Sequence, residues 1–567
     1  MEKKILKSLY MAFSMSIILL SAGCSHDTDE PNSPTKPDTG QEITLQVSMG
    51  EDKRPINDPA RRVKYNDDKV DYQQNTLLWE ANDKLKVVGM DGDTYKGESV
   101  FTLSEGSGTK TAQFTGMSVP GATSYKVYYP SNVTINPADG TATINMDGQV
   151  QTGDDNTDHL KNRIFLEGTR NSTSENITMT MKSCIMKLDF FHVPAEVGNL
   201  KKILFVVGNK PKNDAAPVTY RYMRELKFTD NSVKFSSQKE DLKAYFAFMP
   251  EELQLQKQDV IHIILWGDQK YQTTTSIGDL IPQTYDAGKR YTAKMNYFFK
   301  FRSPLEYAAK RNLAQNGTEF AATDANDVSG FFTRSEAENL FTENYGYPES
   351  PKYIEIADTN YIYPDAKQWC SIIPELKEAP NNKLIISFDG GDPINDYSEE
   401  VKVGQLLIKT KNDYRYSSQD HVIYALRFKG WPDLWRTAWR YRLTENPEPY
   451  TLQAGETKPE KNLCLVIETI YIGPFDNTTI DQIARPEFWN GKTTIKRIFP
   501  YSGFLYKSND PIPHFNSRMG ESGYWWVNTK YYNVYSHIHN AYTVRKSNWD
   551  KSGKNMISVR PFYEEIL

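Results

Sequence analysis

From Gln41 to about Phe299 the chain alternates apolar and polar residues in short runs bounded by turn residues, a period of two that extended strands satisfy and helices do not. Ile43–Ser48, Lys84–Val88, Tyr125–Tyr129, Ile185–Val193, Ile203–Val207, Tyr245–Met249 and Ile261–Trp266 are the clearest predicted strands. Met90-Asp-Gly-Asp93 and Ala138-Asp-Gly140 supply hairpin turns, because glycine enters positive φ at little cost. Gly106-Ser-Gly-Thr-Lys-Thr111 lacks the spacing of a phosphate loop and, lying between two strands, reads as a turn. The pattern predicts antiparallel β-sandwiches.

The first residues have a different character. Met1-Glu-Lys-Lys4 precedes an apolar run from Met11 to Leu20, which is shorter than the roughly 20 apolar residues of a membrane span and ends in Ser21-Ala-Gly-Cys24. Residues 1–23 therefore read as an export signal, with Cys24 as the lipidated residue that anchors the chain to the outer membrane. The acidic stretch Ser25–Glu30 resembles the tag that sends Bacteroidetes lipoproteins to the cell surface, and residues 24–40 read as a flexible tether. A net charge of −5 offers no global attraction to nucleic acid. Of the four cysteines, Cys184 sits in an apolar strand as a buried thiol, whereas Cys370 and Cys464 are able to pair in an oxidising compartment if the fold brings them together.

Trp79–Val88, Ala112-Gln-Phe-Thr-Gly116, Tyr125–Pro130, Met181–Phe190 and Ala287–Thr292 fall in the order seen in fimbrillin-like proteins of Bacteroidetes, which residues 41–300 resemble. The resemblance implies two tandem transthyretin-like β-sandwich domains, 41–175 and 176–300, and assembly into fimbriae with other fimbrial subunits. It also implies proteolytic removal of the first strand, here Ile43–Ser48, after Arg61 or Arg62, with Arg54 as a second candidate. A strand of the next subunit would then fill the slot, regaining ladder hydrogen bonds and apolar burial together.

After Phe299 the texture changes. Ser303-Pro-Leu-Glu-Tyr and its continuation to Leu313 predict a capped helix, Arg334–Phe341 a second and Asp365–Leu376 a third, before strands return at Val422–Phe428, Leu465–Tyr471 and Met556–Pro561. Residues 301–567 thus read as an α+β module. Tyr361–Trp369, Ile372-Ile-Pro374, Tyr424–Phe428, Gly503, Gly523–Trp526 and Ser558–Pro561 resemble the FISUMP domain family, which implies a distant C-type-lectin-like fold. The fold class is therefore mainly β, two sandwiches followed by this α+β module.

Candidate chemistry is concentrated in aromatic clusters. Trp431, Trp435, Trp439 and Tyr441 with Arg436, Arg440 and Arg442, and Tyr524-Trp525-Trp526, combine rings that stack on sugars with guanidinium groups that bind carboxylates. The competing reading is a buried strand face, since Trp435, Trp439 and Tyr441 share one side of a strand. Asp389-Gly-Gly-Asp392 with Asp396 lacks EF-hand spacing and reads as a hairpin turn, and His537-Ile-His539 has no evident third metal ligand. No paired carboxylates or nucleophile elbow stand out, so the expectation is a non-enzymatic protein without cofactor or metal. Two functions remain: a fimbrial tip or accessory subunit that adheres to host or bacterial glycans or proteins, and a surface-anchored glycan-binding lipoprotein that does not polymerise.

Overall fold

The computed structural model describes residues 40–49, 77–171, 176–209, 219–276, 284–327, 330–342, 352–376, 384–429, 434–450, 459–474, 476–506, 514–515, 518–529, 533–544 and 554–564. The protein is mainly β, and every strand named from the alternation of the first 300 residues forms.

Seven strands of the first part close on themselves in the order Glu42–Met49, Asn176–Met181, Leu166–Asn171, Ser124–Tyr129, Lys84–Asp91, Thr94–Glu105 and Thr111–Met117, the last pairing back to the first. Closure leaves no edge strand exposed. The interior is apolar, with Trp79 set edge-on against Phe114 at 4.8 Å and Tyr129 at 5.7 Å. Asn176–Met181 belongs to this sheet, so sheet membership changes between Met181 and Cys184 rather than near residue 175.

Next come two facing sheets. Leu242–Phe248, Cys184–Phe190 and Arg290–Met295 form one; Phe299–Lys300, Lys270–Ser276, Asp259–Trp266, Lys202–Asn209, Thr219–Phe228 and Gln149–Gln151 form the other. Their shared core includes Met186, Leu188, Phe205 and Phe246. Gln149–Gln151, lent by the preceding part, stitches the two edges: its backbone pairs with Thr219–Phe228, while its side-chain amides bond across to the other sheet. Gln149 Nε2 donates to Ala247 O at 2.8 Å and Gln151 Oε1 accepts from Tyr245 N at 2.9 Å. Buried amides here do the work of a missing strand.

His262 is buried in this sandwich beside the Thr274 hydroxyl at 3.0 Å, and burial pushes its pKa from 6.5 down to about 4. Between those values the unfolded chain binds a proton that the folded chain refuses, so stability falls as pH falls through this window. Across the whole window the loss is on the order of 3 kcal/mol. Denaturant titration at pH 7 and pH 4.5 should show His262→Gln losing less stability on acidification than the parent; equal losses would mean the ring is not held neutral.

The C-terminal part packs an antiparallel six-stranded meander against a mixed sheet. The meander runs Ile394–Val403, Leu406–Ser417, Val422–Lys429, Thr437–Glu445, Leu463–Tyr471 and Ile495–Pro500. The mixed sheet contains Ile386–Ser387, Asn540–Val544, Asn533–His537, Ser522–Trp526 and Asn555–Ser558. Asp389-Gly-Gly-Asp392 connects these two sheets and is not a hairpin. The helices are shorter than expected. Pro304–Tyr307 stops because Ala308 is extended and bridges Phe562, after which Ala309 and Leu313 donate to Pro561 O and Val559 O. Arg334–Leu340 is capped reciprocally by Thr333 and Glu336, and Ala366–Cys370 by Asp365 and Gln368. Cys184, Cys370 and Cys464 are all buried thiols, so the Cys370–Cys464 disulfide does not form.

A continuous apolar core joins the second sandwich to the meander, running from Leu204, Val206 and Ile264 to Trp435 and Tyr441. At the seam Trp266 meets Tyr471 at 5.0 Å and Lys202 Nζ lies 4.0 Å from the Trp266 ring. Gly473, at φ +76°, is required there because a Cβ would fall 2.4 Å from that indole.

Candidate functional site

The aromatic cluster singled out as a candidate sugar site is core, as its one-sided spacing on a strand also allowed. Trp439, Tyr441 and Trp525 are 0% exposed and Trp435 is 6% exposed, lying parallel to Phe301 at 6.2 Å in the seam. The reason is positional: Thr437–Glu445 is an inner strand of the meander, with Trp439 and Tyr441 facing the main core and Ala438 facing Ile480, Ile483 and Trp489. No ring face is left for a ligand. Arg440 Nε donates to Glu468 Oε2 at 2.7 Å and Arg442 also reaches that carboxylate, so both guanidinium groups have a protein anion beside them. Trp431, Cys24, Arg54, Arg61 and Arg62 lie outside the described residues.

The strand Glu42–Met49 is different in kind. Leu45, Val47 and Met49 point inward at 0%, 0% and 7% exposure, while Glu42, Thr44 and Gln46 point outward. One edge pairs antiparallel with Thr111–Met117, from Glu42 opposite Met117 to Ser48 opposite Thr111; the other pairs parallel with Asn176–Met181, from Gln46 opposite Asn176 to Met49 opposite Met179. On the outer face Thr44 and Thr115 share a hydroxyl hydrogen bond at 3.1 Å, and Ser48 and Thr111 one at 3.0 Å. Removing this strand would strip the ladder from two neighbours at once and open a slot lined by Phe114, Ala112, Ile177 and Met179 over Trp79.

The parallel partner Asn176–Met181 escapes the sequence reading, although its own alternation, buried Ile177 and Met179 between exposed Asn176, Thr178 and Thr180, marks it as a strand with one covered face. The slot is apolar. Perturbed charges gather elsewhere, at a recess of about 680 Å³ lined by Glu80, Asp83, Lys84, His159, Lys161 and Arg163. There burial raises the Asp83 carboxyl against the pull of the Glu80 N–H and the Tyr129 hydroxyl, and burial brings His159 down to about 4. Among the described residues no three His, Cys, Asp or Glu side chains gather as a metal site, and no helix is long and apolar enough to cross a membrane.

Residues 300–562 match the family model of a domain of unknown function, DUF8237, and not the FISUMP family that the motifs of this part resemble. No curated protein matches the chain. Among solved structures, a protein of Bacteroides uniformis assigned to cell adhesion is 12% identical, with a TM-score of 0.26, covering 46% of this chain and 98% of its own. The tip fimbrial protein Mfa3 of Porphyromonas gingivalis, C-terminally truncated, is 14% identical with a TM-score of 0.20, covering 45% and 94%. A Bacteroides thetaiotaomicron protein assigned to polysaccharide binding is 10% identical with a TM-score of 0.20, covering 46% and 98%.

Proposed function

We propose that the protein is a non-catalytic, surface-exposed fimbrial subunit, at the tip or as an accessory, exported as a Cys24 lipoprotein and joined to its neighbour by exchange of the first strand. The observation that carries this reading is the placement of Glu42–Met49: a short amphipathic strand that closes an otherwise complete sheet through two edges and three buried side chains. Arg54, Arg61 and Arg62 follow it in sequence, ahead of Trp79, so one cut there would separate the strand covalently from its sheet. The order of the fimbrillin-like motifs supports the same reading. The large C-terminal part, fused to the second sandwich through a shared core, suits a terminal position, because its bulk would obstruct further growth.

A second reading, an anchored glycan-binding lipoprotein that does not polymerise, is favoured by the fact that the first sheet is fully closed with its strand in place. The two separate at the N-terminus of the mature protein. Intact mass and peptide mapping of surface material should find a start at Val63 or directly after another arginine. A lipidated Cys24 on all of the protein would remove strand exchange and leave the anchored alternative.

A further inference from the structure

We propose that the outer face of the Asn533–His537 and Asn540–Val544 strands is a shelf for an acidic oligosaccharide, with Tyr535, Tyr542 and His537 as stacking surfaces, buried Tyr524 as the backing that positions them, and Arg518 as the carboxylate clamp. This names the ligand class behind the adhesive part of the reading above, and it does not require polymerisation.

Strand register makes the shelf. Tyr524 lies directly opposite Tyr535, and Tyr535 directly opposite Tyr542, so three adjacent strands place one tyrosine each in a single cross-strand row. Their ring centroids stand 4.8 Å and 5.6 Å apart. His537, two residues along the same strand face, continues the row at 4.9 Å from Tyr535, and His539 follows at 5.3 Å in the turn. The reverse face is core: Val534 belongs to the main apolar cluster and the Ser536 hydroxyl bonds the Tyr501 hydroxyl at 2.5 Å.

The two ends of the outer face differ. At one end Trp526 is covered, donating to Phe332 O at 2.7 Å and packed with Ala337. At the other, Tyr535, Tyr542 and His537 remain partly open to solvent and Arg518 and His539 are exposed. Rings that stay partly wet on two adjacent strands, beside the buried Tyr524 and Trp526 of the third, form an uncovered margin of an aromatic cluster, and its polar handles set its chemistry. Arg518 Nη1 donates to the Tyr535 hydroxyl at 3.4 Å and the guanidinium also bonds the Tyr524 hydroxyl, which holds it beside the rings while the rest of its five-donor fork faces outward for a carboxylate. At the far end Asp389 Oδ2 lies 2.7 Å from His539 Nδ1, a carboxylate suited to accept sugar hydroxyls. The ligand's anionic residue is thereby directed to Arg518 and its neutral hydroxyl-bearing residues toward His539.

Isothermal titration of the full chain with a trimer of galacturonic acid and with neutral galactotriose tests the assignment. The acidic trimer should bind about tenfold more tightly, the value of a charge-assisted hydrogen bond. Arg518→Gln, an exposed substitution, should erase that preference with an unchanged melting temperature, and Tyr542→Ala should weaken both sugars. Failure of the parent to bind either trimer, or an unaltered preference in Arg518→Gln, overturns the inference. Trimer binding by a protein never recovered in sheared filaments would preserve the shelf and remove the fimbrial reading; filaments built from a protein blind to the trimer would do the reverse.

Discussion

A chain starting at Val63, and so lacking Glu42–Met49, should lose most of the stability of its first sheet and recover it when a synthetic Glu42–Met49 peptide is added. Burying Leu45, Val47 and Met49 stabilises the closed sheet by about 5–9 kcal/mol, at about 1.5–3 kcal/mol per side chain. That compares with roughly 5–15 kcal/mol for a whole domain. The ladders to Thr111–Met117 and Asn176–Met181 are lost at the same time, leaving backbone groups on two strands to water. Hydrogen exchange at those two strands reads the effect directly: fast in the truncated chain, slow again with peptide. A peptide carrying Val47→Asp should fail to protect them, because the carboxylate would enter the apolar slot over Trp79. If the truncated chain protects both strands unaided, the first strand is dispensable and strand exchange has no driving force.

How far this site could be read from sequence follows from what alternation encodes. Ile43–Ser48 alternates, so its strand character and buried face were legible. Its partners were not, because a parallel pairing to Asn176–Met181 spans well over a hundred residues and leaves no local trace. The helices were over-read for a related reason. Residues 303–313 have good helix formers, yet the backbone of Ala308, Ala309 and Leu313 is captured by the C-terminal segment at Phe562, Pro561 and Val559. Alternation also places Trp435, Trp439 and Tyr441 on one face without saying whether that face is covered. In Thr437–Glu445 both faces are covered, and the open aromatic row falls instead on Tyr535 and Tyr542, where lone tyrosines on separate strands make no cluster in sequence. What decides between core and surface is the position of a strand within its sheet, which residue spacing does not record.

That buried aromatic face depends on one charge, and replacing it should be the most damaging point substitution in the C-terminal part. Arg427 is fully buried, with Nη1 donating to Ser371 O at 2.9 Å and Ile372 O at 2.8 Å, and Nη2 to Cys370 O at 2.6 Å. It thus caps the carbonyl end of the Ala366–Cys370 helix from a neighbouring sheet, holds Glu399 Oε2 at 3.2 Å, and lies 5.1 Å from the Trp439 ring. Arg427→Met keeps much of the volume but leaves a buried carboxylate and three buried carbonyls without this donor. The expected cost is about 3–5 kcal/mol in denaturant titration, the range for breaking a buried ion pair by removing one partner. Arg427→Lys should lose less, since the charge survives but the fork that spans three carbonyls does not. Adding Glu399→Gln to Arg427→Met should recover part of the loss, because the double variant no longer buries an uncompensated charge; the carboxamide can still accept from Asn412 and the Tyr414 hydroxyl. Additive costs in the double variant would show that the carbonyl cap rather than the ion pair sets the penalty, and a loss below about 1 kcal/mol for Arg427→Met would remove both accounts.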